Sequence, residues 1–91
     1  MKPLPSAKDV EIAAEIYKSE IEAAGGRVAL EHREPGMVIA KTSRPDGSFH
    51  ESFAFTKYGV TPISMSQYAS REFRKPADAA YKKAKKWLGS R

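Results

Sequence analysis

Two proline-glycine signals in the middle of the chain, Glu34-Pro35-Gly36 and Arg44-Pro45-Asp46-Gly47, constrain its fold more than any other feature. Proline presets φ at the first corner of a turn and the following glycine accepts positive φ, so both sites close tightly. They divide the centre of the sequence into residues 27–33, 37–43 and 48–55, each with the apolar spacing of a strand. A three-stranded antiparallel meander is expected. If Pro45-Asp46-Gly47 forms a type I turn with a glycine bulge, Lys41 faces Glu51, Ile39 faces Phe53 and Met37 faces Phe55. With Pro35-Gly36 as a two-residue turn, Val28 and Leu30 join that face as core. Arg27, Ala29, Glu31, Arg33, Val38, Ala40, Thr42, His50, Ser52 and Ala54 then make a small, smooth opposite face.

Helical patterns lie on either side. Ser6 followed by Asp9 resembles a capping box with Asp in place of Glu, and Gly25-Gly26 supplies a stop, which predicts a helix over 7–24. Val10, Ala13, Ala14, Tyr17, Ile21 and Ala24 form its apolar stripe, and Ile12, Ile16 and Ala23 widen it to roughly 200°. Glu11, Glu15, Glu22, Lys8 and Lys18 occupy the far side. A second helix is expected over 76–88, with Pro76 as its first residue, Asp78 in the first turn and Gly89 just past the end. Its Ala77, Ala80, Tyr81, Ala84, Trp87 and Leu88 share about 120° of arc, while Lys82, Lys83, Lys85 and Lys86 fill the opposite ~160°. Tyr81, Trp87, Phe49, Phe53 and Phe55 read as core. Between sheet and second helix, Gly59 and Pro62 break the pattern, and Ile63, Met65, Tyr68 and Phe73 predict only a short extra helix near 66–74. The fold class is α+β: one domain over 1–91, a three-stranded antiparallel meander flanked by an N-terminal and a C-terminal helix in the order α-β-β-β-α.

Charge is distributed unevenly over this framework. Residues 57–91 carry 9 Lys/Arg and 2 acids, whereas residues 1–56 carry 7 and 9, so the net +5 is a local field. Concentrated positive charge suits a polyanion or an acidic protein surface. The chain has no Cys, which excludes disulfides, thiolate zinc sites and a cysteine nucleophile and fits a reducing compartment. No segment approaches the ~20 apolar residues of a membrane span. The chain is therefore expected to be soluble and cytoplasmic, with no membrane partner, no metal and no cofactor.

No catalytic constellation emerges. Glu11 and Glu15 stand one turn apart on a solvated helix face, His32 and His50 lie on strands without a nucleophile or metal quartet, and Gly25-Gly26 lacks the Lys-Ser/Thr of a phosphate loop. The basic residues carry the functional reading. Lysines along one helix face can contact successive phosphates and release counterions, and Arg71, Arg74 and Lys75 cluster just upstream. The same lysines could instead complement the helix dipole or pair with the acidic side of the first helix.

The stretch Ser52-Phe53-Ala54-Phe55-Thr56-Lys57-Tyr58-Gly59, with Ala80-Tyr81-Lys82-Lys83-Ala84 later, resembles the sheet end and helix of AP2/integrase-arm-type DNA-binding domains. That resemblance implies three strands plus a helix, with the open sheet face in the major groove and Arg27 and Arg33 as its contacts. The order α-β-β-β-α is also similar to that of double-stranded RNA-binding domains, and Lys82-Lys83-Ala84-Lys85-Lys86 is similar to their lysine cluster. The first expectation is a small non-enzymatic nucleic-acid-binding protein, for DNA ahead of RNA, using Arg71, Arg74, Lys75, Lys82, Lys83, Lys85 and Lys86 together with Arg27 and Arg33. The alternative is a protein-interaction module or small inhibitor, of the kind phages and other mobile elements encode, docking on an acidic partner protein.

Overall fold

A computed structural model describes residues 4–65 and 71–91. Helix α1 (Ala7–Ala23) precedes strands β1 (Arg27–Glu34), β2 (Met37–Ser43), β3 (Phe49–Thr56) and β4 (Gly59–Met65), and helix α2 (Arg71–Gly89) ends the chain. The strands form one antiparallel sheet in the order β1-β2-β3-β4. Both helices pack on one face of it and against each other, α1 over β1 to β3 and α2 beside β4. The α+β class with terminal helices is as expected. The sheet, however, has four strands rather than three.

The additional strand is β4, which its composition hides. Pro62 lacks an N–H, a defect tolerated on an edge strand, and the register shifts between Ser52 and Phe53, leaving Ile63 as a bulge opposite them. Alternation is thereby lost. Gly59, at φ +128°, closes the preceding turn, and Thr56 Oγ1 accepts the Tyr58 N–H at 3.1 Å within it. Of the short helix expected near 66–74, residues 66–70 lie outside the described residues and 71–74 belong to α2.

Both ends of α1 follow from local chemistry. Ser6 Oγ accepts the Asp9 N–H and the Asp9 carboxylate accepts the Ser6 N–H, each at 3.1 Å, a capping box completed by Asp. At the other end Gly25, at φ +90°, lets its N–H reach Glu22 O and the Gly26 N–H reach Ile21 O, both at 3.0 Å, the pairing of a Schellman closure. Val10, Ala13, Ala14, Tyr17 and Ile21 are buried. Ile12 and Ala23 stay exposed, so the apolar stripe is narrower than its sequence suggests. Tyr17 is the helix's main attachment to the sheet: its hydroxyl lies 2.6 Å from Thr42 Oγ1, and its ring meets Phe53 edge-on at 5.5 Å.

Two bulges overturn the expected strand faces. Both turns close as anticipated, with Glu34 opposite Met37 and Ser43 opposite Phe49, but the register then slips by one residue at Arg33 and again at His50. Each slip exchanges the faces of β2 relative to its neighbour. Val38, Ala40 and Thr42 therefore enter the core opposite Phe55, Phe53 and Glu51, and Met37, Ile39 and Lys41 turn to the other face. The expected Lys41–Glu51 pair does not form; Lys41 faces Ser52 and Glu51 faces Thr42. His50 turns inward and is buried, while Phe49, expected in the core, is 42% exposed.

Helix α2 also differs from expectation. It begins at Arg71, with Pro76 inside it, because its apolar repeat starts at Phe73 and continues through Ala77, Ala80, Ala84 and Leu88, all buried. Phe73 is inserted where Gly26 leaves room. A Cβ on residue 26 would sit 2.6 Å from Phe73 Cζ, 2.9 Å from Ile21 Cγ2 and 2.9 Å from the Ser43 carbonyl. Backbone and side chain both block it, so Gly26→Ala should lower unfolding stability by about 1–3 kcal/mol. Urea denaturation followed by circular dichroism checks this, with Gly89→Ala, where φ is not positive and a Cβ meets nothing within 4 Å, as the uncrowded control.

Candidate nucleic-acid interface

The buried repeat of α2 fixes what its other side presents. With Phe73, Ala77, Ala80, Ala84 and Leu88 inward, helical geometry brings Arg74, Lys75, Lys82, Lys85 and Lys86 within about 120° on the outward side, and all five are exposed. Arg71, the first residue of the helix, falls on the same line, its side chain lying outside the described residues. From Arg71 to Lys86 the stripe is roughly 22 Å long at 1.5 Å per residue. Asp78 stands among these cations as the acid on the line. The two basic groups of the sequence, one expected before the helix and one on it, are thus a single helix face.

Little of that charge is neutralised within the protein. Lys83, at the margin facing α1, forms a salt bridge with Glu20, an acid that lies between Glu15 and Glu22 on that helix. Glu11, Glu15 and Glu22 stay exposed and form no salt bridge among the described residues, although Glu11 and Glu15 line the same groove as Lys83. Lys75, Lys82, Lys86 and Arg74 form no salt bridge among the described residues, and Lys85 Nζ lies 5.6 Å from the centroid of the Tyr81 ring. Tyr81 itself stacks on Phe53 at 4.9 Å. Its partial burial comes from the core.

The arginines of β1 are not part of this surface. Arg27 opens β1 opposite Ser43, and the bulged Arg33 pairs with Glu31 at 3.2 Å. Both lie on the edge strand farthest from β4, beside which α2 packs. The open sheet face retains Arg27, Ala29, Glu31, Ser52 and Ala54, gains Met37, Ile39 and Lys41, and loses Val38, Ala40, Thr42 and His50. At the C-terminal end of α2, by contrast, the β3–β4 turn adds Lys57 and a 78% exposed Tyr58 beside Lys85 and Arg91. Sequence reasoning missed these because only folding brings the turn to the helix end.

Beneath α2 lies a buried polar layer. His50 meets Phe73 edge-on at 5.2 Å and its Nδ1 has no hydrogen-bond partner among the described residues; burial, then the Arg44 and Arg74 cations against the opposing pull of Asp78, hold its pKa below the ordinary histidine value. Burial and the Asp78 carboxylate raise that of Glu51, with Arg74 acting against them. Burial also pushes the Tyr17 hydroxyl up to about 12, despite its bond to Thr42. Among the described residues no group of three or more His, Asp or Glu side chains is placed to hold a metal ion, and no helix is long and apolar enough to cross a membrane.

The Glu51 shift carries a signed consequence. A carboxyl whose pKa is raised on folding binds more protons folded than unfolded, so stability falls as pH rises from its ordinary 4.5 through the raised value. His50, depressed below 6.5, acts in the opposite sense: its contribution is present above that value and is lost as pH falls. Glu51→Gln isolates the first effect. Its urea midpoint should exceed that of the native sequence at pH 8 and converge with it at pH 4.

No protein-family model, curated protein or solved structure matches this chain.

Proposed function

We propose that this chain is a non-catalytic nucleic-acid-binding protein that engages phosphates through the outward face of α2. The observation that carries this reading is the alignment of Arg74, Lys75, Lys82, Lys85 and Lys86 on one exposed helix face, with Arg71 on the same line and Lys83 drawn aside by Glu20. Lysine is a compact, mobile charge, so such a face gives affinity and salt sensitivity with little base discrimination. Phosphate contact needs no concave site, and a convex helix with its cations in solvent suits it. A second reading is docking on an acidic protein surface. It draws on the same cations and on the exposed Phe49 and Ile63, which are 42% and 55% exposed, apolar groups that a protein partner could cover.

Titration of labelled duplex DNA, single-stranded DNA and RNA at several salt concentrations tests the first reading. Binding should weaken linearly in log-log form, and changing Lys75, Lys82, Lys85 and Lys86 together to Gln should shrink the slope by about one unit per phosphate contact removed. Absence of binding to all three at low salt refutes it. A protein captured from lysate after nuclease treatment, and lost in the same variant, supports the second reading.

A further inference from the structure

The β3–β4 turn and the C-terminal end of α2 enclose a cleft of about 340 Å³. Its composition differs from that of the helix face beside it. Leu4 and Leu88 give it an apolar lining, Tyr58 stands 78% exposed at its edge, and Lys57, Lys85 and Arg91 also line it. Arg91 also packs on Trp87, with the guanidinium carbon 4.1 Å from the centroid of that ring. Lys57 Nζ lies 5.2 Å from the centroid of the Tyr58 ring. An aromatic ring left in water beside apolar surface and three cations is the combination that a nucleotide satisfies, its base stacking on the ring and its phosphate meeting the ammonium groups.

We infer that this cleft receives an unpaired nucleobase, with Tyr58 as its stacking platform and Lys57, Lys85 and Arg91 on the adjoining phosphates. The inference rests on the nucleic-acid reading of α2 and adds a preference to it. A base inside a duplex has both faces occupied by its neighbours, so the cleft serves single strands, whereas the lysine face accepts either form. Lys85 belongs to both surfaces. A strand following α2 towards its C-terminus therefore passes from a purely ionic track into a site that grips a base. A flexible single strand can turn one base into this cleft at low cost.

Fluorescence anisotropy with a labelled twelve-nucleotide oligothymidylate and a duplex of equal length tests the assignment. Tyr58→Ala should weaken single-strand binding roughly 5- to 150-fold, the range of one lost base stack, and leave duplex affinity and the salt slope unchanged. Tyr58→Phe, which keeps the ring, should restore the native affinity. Equal single-strand binding by Tyr58→Ala and the native protein, with the lysine-dependent salt slope intact, overturns the cleft assignment and leaves the α2 reading standing. Loss of all nucleic-acid binding in the native protein overturns both. A decaglutamate peptide that binds with the same dependence on Tyr58 overturns the choice of ligand.

Discussion

The insertion of Phe73 against Gly26 determines more of this molecule than any other contact. It ties the first turns of α2 to the end of α1 and to the Ser43 backbone, at a spacing that a methyl group on residue 26 would close to 2.6 Å. With Phe73 anchored, the helix extends N-terminally past Pro76, whose missing N–H removes a hydrogen bond there. The packing of Phe73 offsets that loss. The functional consequence is geometric: without those residues in the helix, Arg71, Arg74 and Lys75 would belong to a loop with no fixed relation to Lys82, Lys85 and Lys86.

The sheet supplies the second constraint. Bulges at Arg33 and His50 turn β2 over relative to what its turns alone dictate, placing Thr42 under α1, where it meets the Tyr17 hydroxyl at 2.6 Å. Val38 and Ala40 are smaller than Met37 and Ile39, and small residues in the central strand leave space for Tyr17, Phe53 and Phe55 to pack together. The same inversion directs His50 inward beneath Phe73. Glu51 loses Lys41 as a counterion and is held instead near Asp78 and Arg74 of the helix above. The buried polar layer and the basic face are two sides of one helix.

What could be read from the residues follows a physical division. Caps and turns depend on a few neighbours, so Ser6 with Asp9, Gly25 and Pro45-Asp46-Gly47 state their roles openly, as do the lysines, whose spacing is an intrinsic property of the helix. Bulges leave no such mark, since Arg33 and His50 are ordinary strand residues and the slip is decided by which face of β2 packs better under α1. β4 was hidden by Pro62 and by its own bulge at Ile63. Pro76 misdirected the helix start because proline favours a first turn, although Phe73 continues the apolar repeat one turn upstream of Ala77. Nothing local marks Lys57, Tyr58 and Arg91 as neighbours of Lys85; tertiary folding alone brings them together.

Charge on an exposed helix is only an opportunity until a ligand is seen to use it. A backbone amide map recorded during titration with a single-stranded oligonucleotide locates that ligand residue by residue. The account predicts progressive shifts along Arg74, Lys75, Asp78, Lys82, Lys85 and Lys86 and across Lys57 to Gly59, with Arg27, Arg33 and the open sheet face unmoved. Shifts centred on β1 and the open sheet face, with α2 unaffected, would contradict it.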